Sequence, residues 1–193
     1  MIYRNKVKRV IDILISLLII IVMFPIFVIA AVLIKMSSPG PVFFYQSRIG
    51  LFEKPFRLVK LRTMTVNPSR PISQTTNADP EVFYVGKILR RLKLDELPQI
   101  LNVFKGDMSL VGPRPCLEET REEMPDWAKA RFKTRPGLTG LAQVNGNIAL
   151  TWEERWRYDT KYLNDISLIN DFSILLKTFL IVILGEERFK KEL

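Results

Sequence analysis

One long apolar run dominates the hydrophobic pattern of the chain. Residues 10–34 are apolar except for Asp12, Ser16 and Pro25. A helix of this length can cross a hydrocarbon core of roughly 30 Å. Basic residues flank the run on both sides, so the positive-inside rule gives it no orientation. Because Pro25 removes a backbone hydrogen bond near the middle, the residues leave a kinked spanning helix and a re-entrant hairpin equally open.

The segments that follow favour a β-hairpin. Residues 42–48 and 55–63 are rich in β-forming side chains, and a short loop separates them. Since strand side chains alternate, Lys60 and Arg62 are predicted to share one face of the second strand. The polar stretch 65–80 predicts a loop, either at the plain surface or as a lid over an active site.

The remainder of the chain is predicted to be mainly helical. Asp95 is suited to cap a helix that Gly106 ends. Segments rich in Gly and Pro at 106–115 and 135–140 predict rigid turns. The helix that begins at Trp152 is amphipathic, which fits either a membrane interface or core packing. The predicted helices cover residues 82–93, 95–105, 118–132, 152–164 and 172–184.

The composition favours an anionic partner and narrows the possible chemistry. The formal net charge is +9, the chain has no histidine, and Cys116 is the single cysteine. A Ser–His–Asp triad, a His-ligated zinc site and a disulfide framework are therefore excluded. Proton transfer falls to Asp, Glu, Lys, Tyr or water, and any metal is expected to be a hard cation such as Mg²⁺ held by oxygen. Neither a Walker A sequence nor G-x-G-x-x-G is present.

The best candidate for chemistry is the acidic pair Asp95 and Glu96 within the segment RRLKLDELP. Adjacent charges are common on solvated surfaces, and the bare pattern favours that interpretation. The pair stands at a predicted helix start, however, where the helix dipole favours an anion. Arg90 precedes the pair and Arg114 follows it in a predicted rigid turn, so cations are available for phosphate oxygens. Together these residues favour phosphoryl transfer, in which an ionised carboxylate can attack phosphorus.

Six short blocks occur in a fixed order along the chain: KRVID (8–12), KLRTM (60–64), LDELPQ (94–99), NVFKGDMS (102–109), VGPRP (111–115) and RPGLTGLAQV (135–144). In this combination the chain resembles the bacterial sugar transferases, and within them the small monotopic polyprenyl-phosphate phosphoglycosyl transferases. One departure is Arg91-Leu92-Lys93, where the family motif often has Ser or Thr before Leu-Asp-Glu-Leu-Pro. This departure adds a charge next to the motif and concerns the local contacts rather than the reaction.

Pattern and resemblance together imply a fold that is mainly α with a small β-hairpin. Residues 1–36 would form a re-entrant membrane helix hairpin broken at Pro25, with Ser16 as a second polar feature. Residues 37–193 would form a compact catalytic domain, with amphipathic interfacial helices, on the cytoplasmic face of the bacterial inner membrane. Larger members of the family carry extra N-terminal membrane helices, and this chain is expected to be the minimal form.

The resemblance also implies a reaction at the start of glycoconjugate synthesis. Asp95 would attack the sugar-bearing phosphate of a UDP-sugar, and UMP would leave an aspartyl phosphosugar behind. A polyprenyl phosphate, such as undecaprenyl phosphate, would then accept the phosphosugar as a polyprenyl diphosphate sugar. Mg²⁺ is the implied cofactor, on Asp95 and Glu96. The implied phosphate contacts are Arg90 and Arg114, followed by Arg135 and Lys60.

Three other functions compete for the same features. A non-catalytic basic scaffold on anionic lipid explains the apolar run and the charge but leaves the acidic pair unexplained. A metal-dependent diphosphate hydrolase would use the same acids with water as the acceptor. Nucleic-acid binding is the weakest alternative, because the basic residues are dispersed and no RNA or DNA motif is present. The motifs do not specify the sugar or the pathway, and they are compatible with a homo-oligomer.

Overall fold

The computed structural model describes residues 3–66 and 79–185. Most of the predicted loop over 65–80 lies outside these residues. The mainly helical fold with a small antiparallel hairpin is confirmed. The α-helices and β-strands of the described chain are, in order, α1 (Lys8–Ser37), β1 (Phe43–Ile49), β2 (Pro55–Leu61), α2 (Tyr84–Arg91), α3 (Ile100–Lys105), β3 (Ser109–Val111), α4 (Glu118–Glu122), β4 (Gly137–Thr139), α5 (Trp152–Asn164) and α6 (Leu168–Leu184).

Helix α1 carries the apolar run and is continuous. It has 30 residues with Pro25 inside, so the helix break that the resemblance implies at that residue is not confirmed. Among the described residues, it is the helix that is long and apolar enough to cross a membrane, judged by length and composition. Large apolar side chains along it face outward, among them Leu18, Phe24 and Ile29 at 61%, 63% and 60% exposure. Such a surface is suited to lipid.

A buried stripe on α1 accounts for polar residues inside the apolar run. Lys8, Asp12 and Ser16 are spaced four apart, share one helix face and are buried. The ammonium group of Lys8 donates to the Asp171 carboxylate at 2.5 Å, and Asp12 accepts a hydrogen bond from the Leu110 backbone N–H at 3.0 Å. This face of α1 is therefore docked on the rest of the protein by polar contacts.

The part of the protein that follows α1, here called the body, packs against both halves of this helix. Ile15 and Ile19 lie against the main core, which is built from α3, β3, α5 and α6. Ala30 and Ile34 are buried in a second cluster with Leu61 of β2. At about 1.5 Å of rise per residue, contacts at Ile15 and Ile34 are spread over about 29 Å of a straight helix. The body thus follows α1 along much of its length.

The predicted hairpin is confirmed. Strands β1 and β2 pair antiparallel, with Phe43 opposite Leu61. The side chain of Asn102 in α3 fastens the hairpin from the side, because its oxygen accepts from the Val59 N–H at 3.1 Å and its nitrogen donates to the Arg57 carbonyl at 2.8 Å. These contacts join α3 to β2, whose last residue, Leu61, donates its backbone N–H to the Asp95 carbonyl.

A second pair of strands lies where the sequence predicted two rigid turns. Strands β3 and β4 are parallel, with Ser109 opposite Gly137. Their close approach requires glycine, since a Cβ added at Gly137 would lie 2.1 Å from the backbone nitrogen of Gly112. Three-residue strands show too little periodicity to be recognised in sequence, and the prediction of turns missed this pairing.

The helix predicted over 95–105 begins later than expected. The chain first forms a 3₁₀ turn at Leu97–Gln99 and enters α3 only at Ile100, so the predicted capping role of Asp95 was wrong. Gly106 ends α3 in the left-handed conformation with φ of 100°, as predicted. Asp95 is thereby left outside the helix, with its carboxylate available to a cavity.

The C-terminal helices agree with the pattern to different degrees. The helix predicted over 118–132 is divided at Pro125 into α4 and a 3₁₀ turn. Helix α5 has the predicted bounds and begins with a capping box between Thr151 and Glu154. Helix α6 begins four residues earlier than predicted and exposes a long apolar face: Leu168, Ile169, Phe172, Leu176, Phe179 and Ile183.

Candidate active site

A cavity of about 740 Å³ contains the predicted acidic pair. This volume is in the range of small-molecule sites. One face of β1 contributes Phe44, Gln46 and Arg48, which alternate along the strand, and Asp95 and Glu96 belong to the same lining. Basic side chains make up much of the remaining lining among the described residues: Lys60, Arg62, Arg90, Lys93, Arg114, Arg131 and Arg155. The cavity is thus suited to an anionic ligand.

Backbone contacts hold the acidic pair beside the end of β2. The carbonyl of Asp95 accepts a hydrogen bond from the Leu61 N–H at 2.9 Å. Helix α2 packs directly on the neighbouring Thr63, since a Cβ added at Gly86 would lie 2.1 Å from the Thr63 carbonyl oxygen. From the same helix, Nε of Arg90 donates to the Thr63 hydroxyl at 2.9 Å. Leu61 at the end of β2 therefore positions Asp95, and Thr63, two residues later, positions Arg90.

Glu96 is held between two cations. Nζ of Lys60 and Nη2 of Arg114 each lie 2.7 Å from Oε1 of Glu96. Burial raises the pKa of Glu96, but the charges and hydrogen bonds of Arg114 and Lys60 outweigh it and bring the pKa below its ordinary value. Glu96 therefore stays ionised at neutral pH. Lys60 and Arg114, which we predicted as phosphate contacts, both lie on this carboxylate at the cavity wall.

Asp95 is in a different electrostatic environment. Burial and the adjacent charge of Glu96 raise the pKa of Asp95, whereas Lys60 and Arg90 offset part of the shift. Two neighbouring carboxyl groups thus differ in acidity because their surroundings differ. The less acidic carboxylate is the better nucleophile, so Asp95 is suited to attack on phosphorus and Glu96 to holding charge.

Three predicted residues lie away from the acidic pair. Arg135 is not part of the cavity lining, and its Nε donates to the Gly106 carbonyl at 2.8 Å. Ser16 and Pro25 lie in α1, where the buried Ser16 hydroxyl donates to the Ile13 carbonyl at 3.0 Å. The structure brings together the predicted residues Lys60, Arg90, Asp95, Glu96 and Arg114.

Sequence analysis missed a buried ion pair in the cavity wall. The side chains of Arg131 and Asp159 are 3.2 Å apart, and only 6% and 4% of their surfaces are exposed. Arg131 also donates to the backbone carbonyl of Arg114 and so supports the loop that carries it. Burial raises the pKa of Asp159 to about 6, although Arg131 and Arg155 oppose the shift. The partners are distant in sequence and belong to none of the six blocks, so no pattern indicated them.

The oxygen donors of the acidic pair fit a hard cation. Mg²⁺ is commonly held by one or two carboxylates together with phosphate oxygens of the substrate, and Asp95 and Glu96 supply two carboxylates. Within residues 3–66 and 79–185, no group of three or more His, Cys, Asp or Glu side chains is placed to hold a metal ion. Any cation at this pair would therefore depend on substrate oxygens to complete its coordination.

Comparison with known proteins identifies the family. Residues 3–185 match the bacterial sugar transferases. The UDP-glucose:undecaprenyl-phosphate glucose-1-phosphate transferase of Caulobacter vibrioides is 43% identical over 181 residues, which cover 89% of this chain and 67% of that protein. The exopolysaccharide production protein ExoY of Sinorhizobium fredii is 38% identical over 187 residues, or 89% of this chain and 83% of that protein.

A longer relative matches over part of its length. The UDP-glucose:undecaprenyl-phosphate glucose-1-phosphate transferase of Escherichia coli K12 is 39% identical over 184 residues, which are 91% of this chain and 40% of that protein. The region shared with all three relatives includes the acidic pair and the segments that surround it. The chain belongs to the bacterial sugar transferase family.

Proposed function

We propose that the protein transfers a sugar 1-phosphate from a UDP-sugar to a polyprenyl phosphate and releases UMP. The observation that carries this proposal is the cationic cavity in which Asp95 and Glu96 differ in acidity. A diphosphate donor brings several negative charges, which such a lining offsets. Family membership supports the same reaction, because the relatives from Caulobacter and E. coli are named as undecaprenyl-phosphate glucose-1-phosphate transferases.

The proposed reaction consists of two displacements at one phosphorus atom. A carboxylate oxygen of Asp95 attacks the sugar-bearing phosphorus, the bond to the bridging oxygen breaks, and UMP leaves with the electron pair. A phosphate oxygen of the polyprenyl phosphate then attacks the same phosphorus in the aspartyl phosphosugar. The acyl phosphate bond breaks, and Asp95 returns as a carboxylate.

The cations of the cavity would stabilise the charge that develops in both displacements. Arg114 and Lys60 both line the cavity beside the acidic pair and bring two positive charges to it. Arg90 also lines the cavity, and its charge offsets part of the rise in the pKa of Asp95. Fixed cations aimed at phosphoryl oxygens are the main protein contribution to reactions of this kind.

We include Mg²⁺ as the cofactor of this reaction. Asp95 and Glu96 would hold the ion, which when bound would neutralise charge on the diphosphate of the donor. The ion pairs with Lys60 and Arg114 keep Glu96 ionised and hence able to serve as an oxygen ligand. Removal of divalent cations with EDTA is expected to stop UMP release, and added Mg²⁺ to restore it.

We further propose that α1 enters and leaves the membrane on the cytoplasmic face. Both of its ends are tied to the same body, through Lys8 and Asp171 at the start and through Arg62, which donates to the Ser38 carbonyl at 2.7 Å, at the end. A straight spanning helix would carry one end to the opposite face, away from such contacts. Pro25 is the expected site of a bend.

The names of the relatives indicate which donor sugar to test first. Their names state UDP-glucose for the Caulobacter vibrioides protein and UDP-N-acetylgalactosamine for a protein of Aeromonas hydrophila that is 38% identical over 187 residues. The S. fredii relative is named as an exopolysaccharide production protein. We therefore propose UDP-glucose as the first donor to examine, in the synthesis of a bacterial polysaccharide.

The test is UMP release from a panel of UDP-sugars in detergent with Mg²⁺, with and without undecaprenyl phosphate. We expect one donor to give UMP in proportion to added lipid, with the lipid recovered as its diphosphate sugar. Release of sugar phosphate to water instead would identify a hydrolase. No turnover with any donor of the panel would contradict the proposal in favour of a scaffold.

A further inference from the structure

The cavity has two chemically different ends, and strand β1 sets the distance between them. Phe44, Gln46 and Arg48 lie on the same face of β1 and all line the cavity. With a rise of about 3.3 Å per residue, Phe44 and Arg48 are about 13 Å apart. A cavity of this length can hold two ligand groups side by side with the reacting phosphate between them.

The end at Phe44 carries apolar side chains beside Lys60 and Arg62, and it adjoins the membrane helix. Phe44 is 48% exposed, and Pro41 and Val66 line the cavity near it. Arg62 fastens this end to α1, since its guanidinium donates to the carbonyl oxygens of Ser38 at 2.7 Å and Pro41 at 2.5 Å. An apolar chain that leaves the cavity here passes from one apolar surface to the next without crossing water.

The opposite end presents an aromatic face and a guanidinium group. Trp152 lines the cavity with 42% of its surface exposed, and the guanidinium carbon of Arg155 lies 4.7 Å from its ring centroid. Trp152 stacks on Trp156 at a centroid distance of 6.3 Å, and Trp156 belongs to the same buried cluster as Ile49, the neighbour of Arg48 on β1. Exposed aromatic rings beside arginine are a common platform for a nucleobase.

Contacts lead from both ends to the acidic pair. Lys60 is directly opposite Phe44 in the hairpin and contacts Glu96 at 2.7 Å. From the other end, burial and the charge of Arg114 both lower the pKa of Arg155, and Arg114 also contacts Glu96 at 2.7 Å. The acidic pair therefore lies between the end at Phe44 and the end at Trp152.

We propose that the two substrates use opposite ends of this cavity, the isoprenoid tail of the acceptor at Phe44 and the nucleoside of the UDP-sugar at Trp152 and Arg155. This assignment rests on the proposed function and extends it to substrate-binding residues. The tail stays in lipid, and the Phe44 end is the one that adjoins α1. The nucleoside is polar and has an aromatic base, and the other end of the cavity offers it the large ring of Trp152 with the Arg155 guanidinium beside it.

The experiment measures kcat/KM for each substrate in the full-length protein. In a reaction with two displacements, kcat/KM for the donor reports only the steps up to UMP release, and kcat/KM for the acceptor only the steps after it. Phe44→Ala should lower kcat/KM for undecaprenyl phosphate by about tenfold, with the donor value within about twofold of wild type. Trp152→Ala should lower kcat/KM for the UDP-sugar by about tenfold and leave the acceptor value nearly unchanged.

The chain offers a matched control for each variant. Tyr45 is next to Phe44 on β1, is also 48% exposed, and lies on the strand face that does not line the cavity. Trp127 is 45% exposed with Arg157 over its ring at 5.9 Å, and it is likewise outside the lining. Tyr45→Ala and Trp127→Ala should leave both values near those of wild type.

Conservative variants separate substrate contact from a loss of folding. Trp152→Phe keeps a stacking ring and should recover most of the donor value, and Phe44→Leu should recover most of the acceptor value. The assignment is overturned if Phe44→Ala lowers the donor value and Trp152→Ala the acceptor value. It is also overturned if either alanine variant and its conservative variant both lower the two values equally. A third contradicting outcome is that Phe44→Ala and Trp152→Ala behave like their controls, Tyr45→Ala and Trp127→Ala. A wild-type protein that shows no lipid-dependent UMP release would instead contradict the proposed function itself.

Discussion

At the scale of single residues, two adjacent carboxyl groups are given different properties by their neighbours. Glu96 accepts from Lys60 and Arg114 at 2.7 Å each, and those cations hold its pKa low despite burial. Asp95 is partly buried next to that charge, and its pKa is raised. The sequence indicated the pair, but the division of roles depends on cations from β2 and from the Arg114 loop, which only the fold brings together.

Asp95→Asn is expected to abolish turnover without weakening the fold. The variant removes the attacking oxygen at nearly constant shape, and we expect UMP release to fall by at least about a thousandfold. Because the folded-state pKa of Asp95 is raised, its ionisation opposes folding once the pH rises through that pKa. The melting temperature of the variant at pH 7 should therefore equal or exceed that of wild type.

Asp126→Asn is the matched control, since this carboxylate is 97% exposed and pairs only with a neighbour on its own turn. It should leave activity and melting temperature unchanged. Normal turnover by Asp95→Asn would refute the role of Asp95, and a large drop in its melting temperature would make Asp95 a structural residue.

The raised pKa of Asp95 also fixes the direction of the pH dependence. The nucleophile must be ionised, so kcat/KM for the UDP-sugar should fall as the pH drops through the pKa of Asp95 in the free enzyme. Burial and Glu96 place that pKa above the ordinary Asp value of about 3.9. In a pH profile, kcat/KM for the UDP-sugar should therefore begin to fall at a pH above the ordinary pKa of an Asp side chain. A kcat/KM that stays constant down to that pKa would argue against Asp95 as the titrating group.

At the scale of elements, the patterns that are strong in sequence were predicted well. The hairpin follows from two runs of β-forming residues joined by a short loop, and α5 follows from its amphipathic pattern. Strands β3 and β4 were not predicted, because three residues each carry no usable period and their pairing depends on contact between distant glycines. The buried stripe of α1 was visible as polar interruptions, but its partners Asp171 and Leu110 were not.

The buried ion pair between α1 and α6 should matter for stability. Lys8 and Asp171 have side chains only 9% and 6% exposed, and Tyr3 and Tyr162 also donate to Asp171. Lys8→Met leaves the carboxylate without its cation and should cost about 3 kcal/mol or more in the free energy of unfolding. Thermal unfolding in detergent measures this loss.

An exposed pair provides the comparison. Lys129→Met removes the partner of Asp126 on the surface and should leave the free energy of unfolding nearly unchanged. Adding Asp171→Asn to Lys8→Met should recover part of the loss, because the uncompensated charge is then gone. Equal effects of the two lysine variants would show that the buried pair has no special role in attaching α1.

The proposed topology of α1 is tested at Pro25. Pro25→Leu restores the missing backbone donor and should favour a straight helix that spans the membrane. With Cys116→Ser as background and Lys6→Cys as a reporter, an impermeant thiol reagent added outside intact cells should label the Pro25→Leu protein and spare the protein with Pro25. Equal labelling of both proteins would refute a re-entrant helix bent at Pro25.

At the scale of the whole molecule, the site is assembled from parts spread over most of the chain. The six blocks supplied Lys60, Asp95, Glu96 and Arg114, which the fold gathers in one cavity. They also contained Arg135, which lies outside the lining and supports Gly106 instead. Other parts of the cavity, such as Trp152 and the pair of Arg131 and Asp159, belong to no block, since the contacts that recruit them are tertiary. Sequence patterns thus indicated several of the charged residues that the fold gathers in the cavity, but few of the residues that form the rest of its wall.

The covalent step on Asp95 is the central claim of this account, and intact-protein mass spectrometry tests it most directly. The protein is incubated with UDP-glucose and Mg²⁺ without lipid acceptor, and peptides are then mapped; other UDP-sugars of the panel follow if this donor is inactive. We predict a mass increase of one hexose phosphate on the peptide that contains Asp95, lost on addition of undecaprenyl phosphate and absent in Asp95→Asn. Lipid-dependent UMP release with no adduct on wild type, or an adduct that persists in Asp95→Asn, would contradict it.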